Sequence, residues 1–438
     1  MTVPAQPQPG PPVAAEEAVV LVDPVLSGEP FKAACAELGL PFVSVYTIDR
    51  RIVTAMSPTH RRGDALSLYG RDPATLAEQV DRAVGTVRGV VPATEPGVLT
   101  ANLLADHWGL PGNSVGTARA RRDKREMRTL ARDRGVRVPR FEVAADAGQV
   151  ARAAERIGLP VIVKPATGAG SHNVFLVTER RDLRRVAGAE RRDLFGSEID
   201  DWLVEEYVRG REFAVNTFSV DGEHTIIDVW EYRLPTSGDY DNPYWDFVQV
   251  DPKAIAARQV VAFARQVLDA FEIDLGPCHI EVKLDPTGRD ADRGPVLIEL
   301  GARLPGAGIP LLWERHSDLR PYADTLAVHL GLRPRIADGP PSFDGRIGIC
   351  FIRHDGPAGV LRRLHGLPEV RAFPGVDEVI TSVRPGDLVE PTASLGTEVA
   401  KVRLSAANGA DLAALITRVR ATLVAEIEPA AVTERIPA

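Results

Sequence analysis

Two glutamates stand inside short apolar segments, where an unpaired charge is rarely found. Glu281 lies in the segment HIEVKL, and Glu299 lies in LIELGARLPG. The two segments predict antiparallel strands over residues 279–284 and 295–300, joined by the polar loop DPTGRDADRG at 285–294. Because side chains alternate along a strand, such a hairpin can place both carboxylates side by side on one face. Few folds accommodate that arrangement, so the pair constrains this chain strongly.

Two adjacent carboxylates repel one another unless a cation or a proton lies between them. Magnesium prefers a small number of protein carboxylates together with phosphate oxygens and water. We therefore expect Glu281 and Glu299 to bind Mg²⁺, with Mn²⁺ as an alternative ion. The competing interpretation is structural, with the glutamates paired to Lys283 or Arg303.

Arg303 follows Glu299 by four residues. A guanidinium beside a metal-bound phosphate can brace a transferred phosphoryl group and later an oxyanion. A salt bridge to one of the two glutamates is the alternative, and the two roles are compatible.

A lysine at the end of an apolar strand precedes a glycine-rich loop. Lys164 lies in the predicted strand at 160–165, and the segment ATGAGSHNVFLV follows directly. Small residues let backbone N–H groups approach phosphate oxygens, and a lysine adds a mobile positive charge. The loop has no GK[ST] sequence, so it is not a Walker loop. Taken alone, the pattern also fits an ordinary glycine-rich hairpin.

The segment VEEYVRGREF, residues 204–213, predicts extended backbone with a turn at Gly210. Consecutive backbone groups of such a segment can provide the acceptor and the donor that an adenine ring needs. A carboxylate such as that of Glu212 can accept hydrogen bonds from ribose hydroxyls. The alternative is a pair of exposed acidic residues beside a turn.

The N-terminal part predicts a small α/β domain over residues 18–115. Strands are expected at 19–23 and 42–46 with a helix at 31–38 between them, which is the pattern of a parallel βαβ unit. Residues 1–17 are rich in proline and predict a disordered leader.

Two more helices are predicted beyond this unit. The first has apolar residues at helical spacing, and it precedes a strand at 89–92; these residues are Leu76, Val80, Val84 and Val87. The second covers the basic segment 118–135, most of whose charges we expect to be solvated, with Lys124 as the exception. Residues 336–438 predict a separate subdomain with strands at 345–352, 379–382 and 398–404 and a final helix at 409–427.

The overall charge argues against a nucleic-acid partner. The formal net charge is -8 and the pI is about 5.7, whereas nucleic-acid-binding domains usually carry a basic surface. Three isolated cysteines predict neither a disulfide framework nor a thiolate zinc site. No basic residue precedes Lys32 and no long apolar run occurs, so neither a secretory signal nor a membrane span is predicted. We expect a cytoplasmic protein.

Taken in order, these motifs resemble the ATP-grasp superfamily. The likeness extends over residues 18–435, from RRDKREM around Lys124 to LIELGARLPG. It is nearest to bacterial carboxylate–amine ligases such as L-amino-acid ligases and dapdiamide-type synthetases. The resemblance implies a mixed α/β ATP-grasp fold, with a Rossmann-like pre-ATP-grasp domain at 18–115, an ATP-grasp domain at 116–335 and a lid-like subdomain at 336–438.

The resemblance also implies a role for each motif. Two lysines and the glycine-rich loop would bind the phosphates of ATP, the segment from Glu205 would hold adenine, and Glu212 would hold ribose. The candidate nucleotide-binding residues are Lys124, Lys164, Gly168, Gly170, Ser171, His172, Asn173, Val174, Glu205, Glu206, Tyr207, Val208 and Glu212. The candidate catalytic residues are Lys283, Arg303 and Gly306, the metal ligands are Glu281 and Glu299, and the candidates for the substrate pocket are Glu95, Trp230 and Glu231.

The implied activity is ATP-dependent joining of a small-molecule carboxylate and an amine through an acyl phosphate. Amino acids or precursors of peptide-like antibiotics are the implied substrates, and a homodimer is the implied assembly. Many ATP-grasp enzymes have an asparagine two residues after the second glutamate, whereas this chain has Gly301. Two alternatives stay open, namely a carboxylase that uses bicarbonate and a nucleotide-binding partner protein without turnover.

Overall fold

The computed structural model describes residues 14–168, 170–234, 245–285 and 294–429 of the chain. Most of the predicted leader and most of the polar loop at 285–294 therefore lie outside the described residues. Within these ranges, no helix is both long and apolar enough to cross a lipid bilayer.

Four parallel strands flanked by helices form the N-terminal domain. Its elements are β1 (Ala15–Val22), α1 (Pro30–Glu37), β2 (Phe42–Tyr46), α2 (Arg50–Met56), β3 (Leu66–Tyr69), α3 (Pro73–Ala83), β4 (Val84–Pro92) and α4 (Val98–His107). The strand order is β3-β2-β1-β4. Ligands of such sheets bind beyond the carboxyl ends of the strands, at the point where the strand order reverses. Asp23 after β1 and Glu95 after β4 lie at that point.

Two predictions for this domain are wrong. Strand β1 begins at Ala15 and not at Val19, because its first residues pair with β4, starting with Ala15 opposite Val84. Val84 and Val87 belong to β4 and not to the preceding helix, which ends at Ala83.

The predicted basic helix is also interrupted. A 3-10 turn covers Arg119–Arg121, and helix α5 (Lys124–Asp133) begins only after Asp123. The Asp123 side chain accepts a hydrogen bond from the Arg125 backbone N–H and so caps the new helix. This break brings the backbone N–H of Lys124 to 2.8 Å from the carbonyl oxygen of Ala166, directly before the glycine-rich loop.

A four-stranded antiparallel sheet follows, which we call the small sheet subdomain. It consists of β5 (Phe141–Ala144), α6 (Ala147–Ile157), β6 (Val161–Pro165), β7 (Phe175–Val177), α7 (Leu183–Ala187) and β8 (Trp202–Glu206). The strand order is β5-β8-β6-β7, and the subdomain has an apolar core of its own.

An eight-stranded sheet forms the centre of the molecule. The strands of its first part, with the helices between and after them, are β9 (Arg211–Val220), β10 (Glu223–Arg233), β11 (Asp246–Gln249), α8 (Ile255–Ala270), β12 (Gly276–Leu284), β13 (Val296–Gly301), α9 (Ile309–His316) and α10 (Pro321–His329). The C-terminal part contains β14 (Arg346–Ile352), β15 (Gly359–His365), α11 (Leu367–Arg371), β16 (Val376–Thr381), β17 (Leu388–Val389), β18 (Ala400–Ala406), α12 (Gly409–Thr422) and β19 (Val424–Pro429). Of these strands, β14, β16 and β18 extend the large sheet, whereas β15, β17 and β19 form a separate three-stranded sheet in the order β17-β15-β19.

The large sheet continues across the predicted boundary at residue 335. Its order is β13-β12-β9-β10-β11-β14-β18-β16, so strands of the C-terminal part extend the sheet that carries the two glutamates. The chain does not end in a helix that reaches 427, because α12 stops at Thr422 and Val424–Pro429 pairs with β15 as strand β19. Strand β15 was not predicted either.

Candidate active site

The predicted hairpin is present, and it pairs the two glutamates. Strands β12 and β13 are antiparallel, with Glu281 directly opposite Glu299. On the other side of β12, Glu281 lies opposite Ala214 of β9, and Lys283 lies opposite Glu212. Directly paired residues share a face, so the two glutamates and the Lys283–Glu212 pair lie on the same side of the sheet.

Unequal charge surrounds the two carboxylates. The Lys124 Nζ lies 2.8 Å from Glu299 Oε1. Burial raises the pKa of the Glu281 carboxyl, and the charge of Glu299 raises it further. For Glu299, burial also acts to raise the pKa, but the cations Lys124, Lys164 and Arg303 together outweigh burial and hold the pKa below its usual range. Among the described residues, no Lys or Arg forms an ion pair with Glu281 like that between Lys124 and Glu299, although the charge of Arg303 lowers the pKa of Glu281 in part.

Another carboxylate of this region, Glu205, has a cation beside each of its two oxygens. Its Oε1 lies 2.5 Å from the Arg128 Nε, and its Oε2 lies 2.7 Å from the Lys164 Nζ. Burial alone would raise the pKa of Glu205, but the two cations outweigh it and the pKa is lowered. The predicted phosphate lysine Lys164 is thus held at the end of β6, and its own pKa is lowered by burial despite Glu205.

Arg128 was missed by the sequence analysis, which expected most charges of the basic segment to be solvated and singled out only Lys124. Its side chain is completely buried, and its Nη2 donates to the carbonyl oxygen of Ile298 at 2.6 Å. Arg121 is buried as well and bonds the carbonyl oxygen of Ser114 and the side chain of Asn102. The missed signal was helical spacing, because Arg128 stands four residues after Lys124, on the buried face of α5.

Several residues of the glycine-rich loop have left-handed backbone conformations. Gly168, Gly170, Ser171 and Asn173 all have positive φ angles, a feature that is common in anion-binding loops. The Lys124 Nζ donates to the carbonyl oxygen of Gly168 at 3.1 Å, so this lysine connects the loop with Glu299. His172 and Val174 of the loop are partly buried, and the buried His172 Nδ1 has no hydrogen-bond partner among the described residues.

The predicted adenine segment begins with the last two residues of β8, Glu205 and Glu206, and continues beyond the strand. Glu206 turns its carboxylate outward to Arg140, with 2.7 Å between Arg140 Nε and Glu206 Oε2, which leaves only its backbone for a nucleotide. The Lys283 Nζ lies 4.9 Å from the centre of the Tyr207 ring and donates to the Val208 carbonyl oxygen at 3.3 Å. It also lies 3.7 Å from Glu212 Oε2, so Lys283 joins the adenine segment to the ribose candidate.

Arg303 pairs with a residue of the N-terminal domain. Its Nε donates to Glu95 Oε2 at 2.9 Å, and both side chains are largely buried. Burial acts to lower the pKa of Arg303, but the negative charges of Glu95, Glu299 and Glu281 together outweigh burial and raise it. This contact brings one predicted substrate residue to the two glutamates.

The Glu95–Arg303 pair explains the glycine at position 301. A Cβ added to Gly301 would lie 2.9 Å from Glu95 Oε2 and 3.2 Å from Arg303 Cζ. A side chain at this position would therefore displace the ion pair. The asparagine of other ATP-grasp enzymes has no room here, and the space is taken by a carboxylate from the other domain.

A neutral histidine beside the glutamates was also missed. Asn216 donates its Nδ2–H to Asp228, so its Oδ1 accepts from His279 Nδ1 at 2.7 Å. The other ring nitrogen, Nε2, then accepts from the Tyr232 hydroxyl at 3.0 Å and lies 3.5 Å from Glu281 Oε1. Burial lowers the pKa of His279 to about 3. Its position two residues before Glu281 in HIEVKL was the available signal.

Two predicted substrate residues do not reach the site. Trp230 shares the face of Glu281, but its side chain is fully buried and its indole N–H donates to Asp228 at 2.6 Å. Glu231 is the next residue along β10 and so lies on the opposite face, where it pairs with Arg211 at 2.6 Å. Gly306 has open space where a Cβ would be, and it precedes Ala307 and Gly308, which both have positive φ angles.

The donor set fits a magnesium ion that relies on its nucleotide. The described residues contain no group of three or more His, Cys, Asp and Glu side chains placed to hold a metal. Glu281 and Glu299 supply two adjacent carboxylates whose mutual repulsion a divalent cation relieves. Magnesium commonly completes such sets with phosphate oxygens and water.

Comparison with known proteins identifies the family. Residues 157–310 match the ATP-grasp domain, and residues 354–428 match the L-amino acid ligase C-terminal domain 2. The chain belongs to the ATP-grasp superfamily. It is an ATP-dependent ligase of the branch that contains the L-amino acid ligases.

Individual relatives agree with this assignment. The chain is 23% identical over 342 residues to an L-arginine-specific L-amino acid ligase of Bacillus subtilis, which covers 77% of this chain and 80% of the relative. It is 25% identical over 401 residues to dapdiamide A synthase of Enterobacter agglomerans, covering 87% and 89% of the two chains. The crystal structure of an L-amino acid ligase from Bacillus licheniformis superposes with a TM-score of 0.74 at 18% identity, covering 94% and 99%. The predicted ATP-grasp fold is thereby confirmed.

Proposed function

We propose that this ligase joins an amino acid, through its carboxylate, to the amine of a second small molecule by way of an acyl phosphate. The observation that carries the proposal is the in-register pair Glu281–Glu299, with Lys124 bonded to Glu299 and the charge of Arg303 acting on both glutamates. This arrangement has anionic groups for a metal and cationic groups for phosphate within one small, largely buried region. Dapdiamide A synthase is a relative, so the proposal includes a role in making a peptide-like natural product.

In the first step, a carboxylate oxygen of the substrate attacks the γ-phosphorus of ATP, and ADP leaves. Transfer of this kind depends mainly on positioning and on neutralising charge. Lys124 and Lys164 neutralise phosphate oxygens while the glycine-rich loop donates backbone N–H groups. Glu281 and Glu299 would hold a Mg²⁺ ion, which would supply further positive charge at the phosphates.

In the second step, the amine nitrogen attacks the acyl carbon, and inorganic phosphate leaves with the oxygen that came from the carboxylate. Negative charge develops on the acyl oxygen as the amine adds, and the Arg303 guanidinium is placed to stabilise it. Glu95 holds that guanidinium in position through the 2.9 Å contact. The attacking amine also loses a proton, which the departing inorganic phosphate can accept.

Isotope labelling tests both the reaction and the intermediate. The enzyme is incubated with Mg-ATP and pairs of amino acids, and products are identified by mass spectrometry. With an ¹⁸O-labelled carboxylate as donor, one ¹⁸O should appear in the inorganic phosphate together with one amide product per ADP. Formation of AMP, unlabelled phosphate, or ADP release that requires bicarbonate and not an amine would contradict the proposal.

A further inference from the structure

One side chain of the small sheet subdomain is inserted into the N-terminal domain. Phe195 is 7% exposed and packs in an apolar cluster with Val25, Tyr46, Ile48 and Val53. All four partners belong to the N-terminal domain, more than 140 residues earlier in the chain. Apart from Phe195, the cluster has no buried member from the small sheet subdomain among the described residues.

The turn that carries Phe195 is built to hold it in place. The Asp193 Oδ1 accepts from the backbone N–H groups of Phe195 at 2.9 Å and of Ser197 at 2.8 Å. The next residue, Gly196, has a φ of 77°, and a Cβ there would overlap the Ile52 side chain. The turn therefore fits against helix α2 of the N-terminal domain with little room to spare.

The same turn supports the phosphate loop. Asn173 Nδ2 donates to the carbonyl oxygen of Glu190 at 3.0 Å. A Cβ on Gly170 would lie 3.7 Å from Leu194 Cδ2, which is ordinary van der Waals contact. The loop thus rests on the segment before Phe195, and Phe195 rests on the N-terminal domain.

On the N-terminal side, the contact is close to the substrate residues. Val25 immediately precedes the turn Leu26–Gly28, and a Cβ on Gly28 would lie 2.9 Å from Ala93 and 3.0 Å from Thr94. Thr94 in turn precedes Glu95, the partner of Arg303. Phosphate loop, Phe195 cluster and Glu95 are therefore connected by direct packing.

We propose that Phe195 is a positioning residue that fastens the phosphate loop to the N-terminal domain, so that the acyl phosphate meets the amine before it meets water. This inference rests on the proposed function, because it concerns the fate of the acyl phosphate. Phe195 itself contacts no reacting group. Its effect is on how long the loop stays closed, and an acyl phosphate that is exposed to water is hydrolysed.

The experiment compares amide product with ADP for three variants of the full-length enzyme. Phe195→Ala removes the inserted ring, Phe195→Leu keeps an apolar side chain, and Val143→Ala truncates a 44% exposed side chain of the same subdomain. We expect Phe195→Ala to lower the rate of amide formation about tenfold and to raise the ADP-to-amide ratio at least about threefold, because hydrolysis replaces transfer. The ratio should stay near the wild-type value in Phe195→Leu and Val143→Ala.

A second readout separates this inference from the proposed function. Amide hydrogen exchange of residues 166–175 with ATP bound should be faster in Phe195→Ala than in the wild type, whatever the acceptor substrate is. An unchanged exchange rate or an unchanged ADP-to-amide ratio would overturn the inference, as would equal effects in Val143→Ala. If the wild type forms no amide with any pair, the proposed function fails while the exchange result still decides the role of Phe195. If Phe195→Ala does not fold, Gly196→Ala perturbs the same contact and takes its place.

Discussion

Glu205 and Glu281 are both carboxylates of the nucleotide region, yet their charges are balanced in different ways. Glu205 bonds Arg128 and Lys164, one cation on each oxygen, and its pKa is lowered. Glu281 faces Glu299, and its pKa is raised by burial and by that neighbour. The first group is complete within the protein and orients a lysine. The second keeps an excess of negative charge that an incoming cation can neutralise.

The largest effect on activity is expected at the Glu281–Glu299 pair, whose negative charge the protein does not fully neutralise. Glu299→Gln should lower amide formation by at least about a thousandfold, because it removes a metal ligand and the partner of Lys124. The protein should still fold, since the change also relieves the repulsion with Glu281. Steady-state ADP release with the amine present and a thermal unfolding curve give the two measurements. Glu223→Gln, an exposed change on β10, is the control, and full activity of Glu299→Gln would remove the glutamate pair from the mechanism.

The balanced carboxylate should matter more for stability. Glu205→Gln leaves Arg128 and Lys164 buried without an anion, and breaking a buried pair in this way costs about 3–5 kcal/mol. Urea denaturation measures the change in the free energy of unfolding. The adjacent Glu206→Gln breaks only the pair with the largely exposed Arg140 and should cost less than about 1 kcal/mol. Equal losses of unfolding free energy in the two variants would show that Glu205 does not neutralise Arg128 and Lys164 as described above.

A third carboxylate, Asp23, extends the comparison, because the groups that donate hydrogen bonds to it are neutral. Asp23 is fully buried and accepts from the Thr47 backbone N–H at 2.8 Å and from the Thr47 hydroxyl at 2.5 Å. Burial outweighs these bonds and raises its pKa from 3.8 to about 6. A raised acid pKa means that the folded protein keeps a proton which the unfolded chain releases. Asp23 therefore makes folding less favourable as the pH rises from about 4 to 6, by up to about 3 kcal/mol.

Asp23→Asn should remove that part of the pH dependence. Asparagine can still accept from the Thr47 N–H, so the free energy of unfolding at pH 4 should change little. Above pH 6, the variant should be more stable than the wild type by up to about 3 kcal/mol. Urea denaturation at several pH values tests this, with the exposed Asp106→Asn as control. Parallel pH profiles for wild type and Asp23→Asn would contradict the assigned shift.

Features with a local signal could be predicted from the sequence. The strand at 42–46 and the Glu281–Glu299 hairpin followed from alternation and apolar runs, and both were found as expected. The family resemblance added the order of the motifs. Assignments made from spacing alone failed where a partner strand decides the structure, as for Val87, which pairs with Ala18.

Contacts between distant residues had no signal in the sequence. Glu95 and Arg303 are 208 positions apart, and nothing local indicates that one carboxylate should occupy the space above Gly301. Helical spacing could have indicated that Arg128 is buried, but nothing local identifies its partner Glu205, which is 77 positions away. Phe195 looked like any apolar residue of a loop, because its partners belong to another domain.

The uninterrupted large sheet limits how this enzyme can be divided or recombined. Strand β14 hydrogen-bonds β11, so a chain cut near residue 335 would leave β11 as an open sheet edge. Such an edge is prone to pair with other chains and aggregate. The C-terminal part therefore cannot be exchanged between ligases as an independent cassette. Chimeras that alter substrate choice should keep β11, β14, β18 and β16 from one parent and take their crossovers in the N-terminal domain or in the loops.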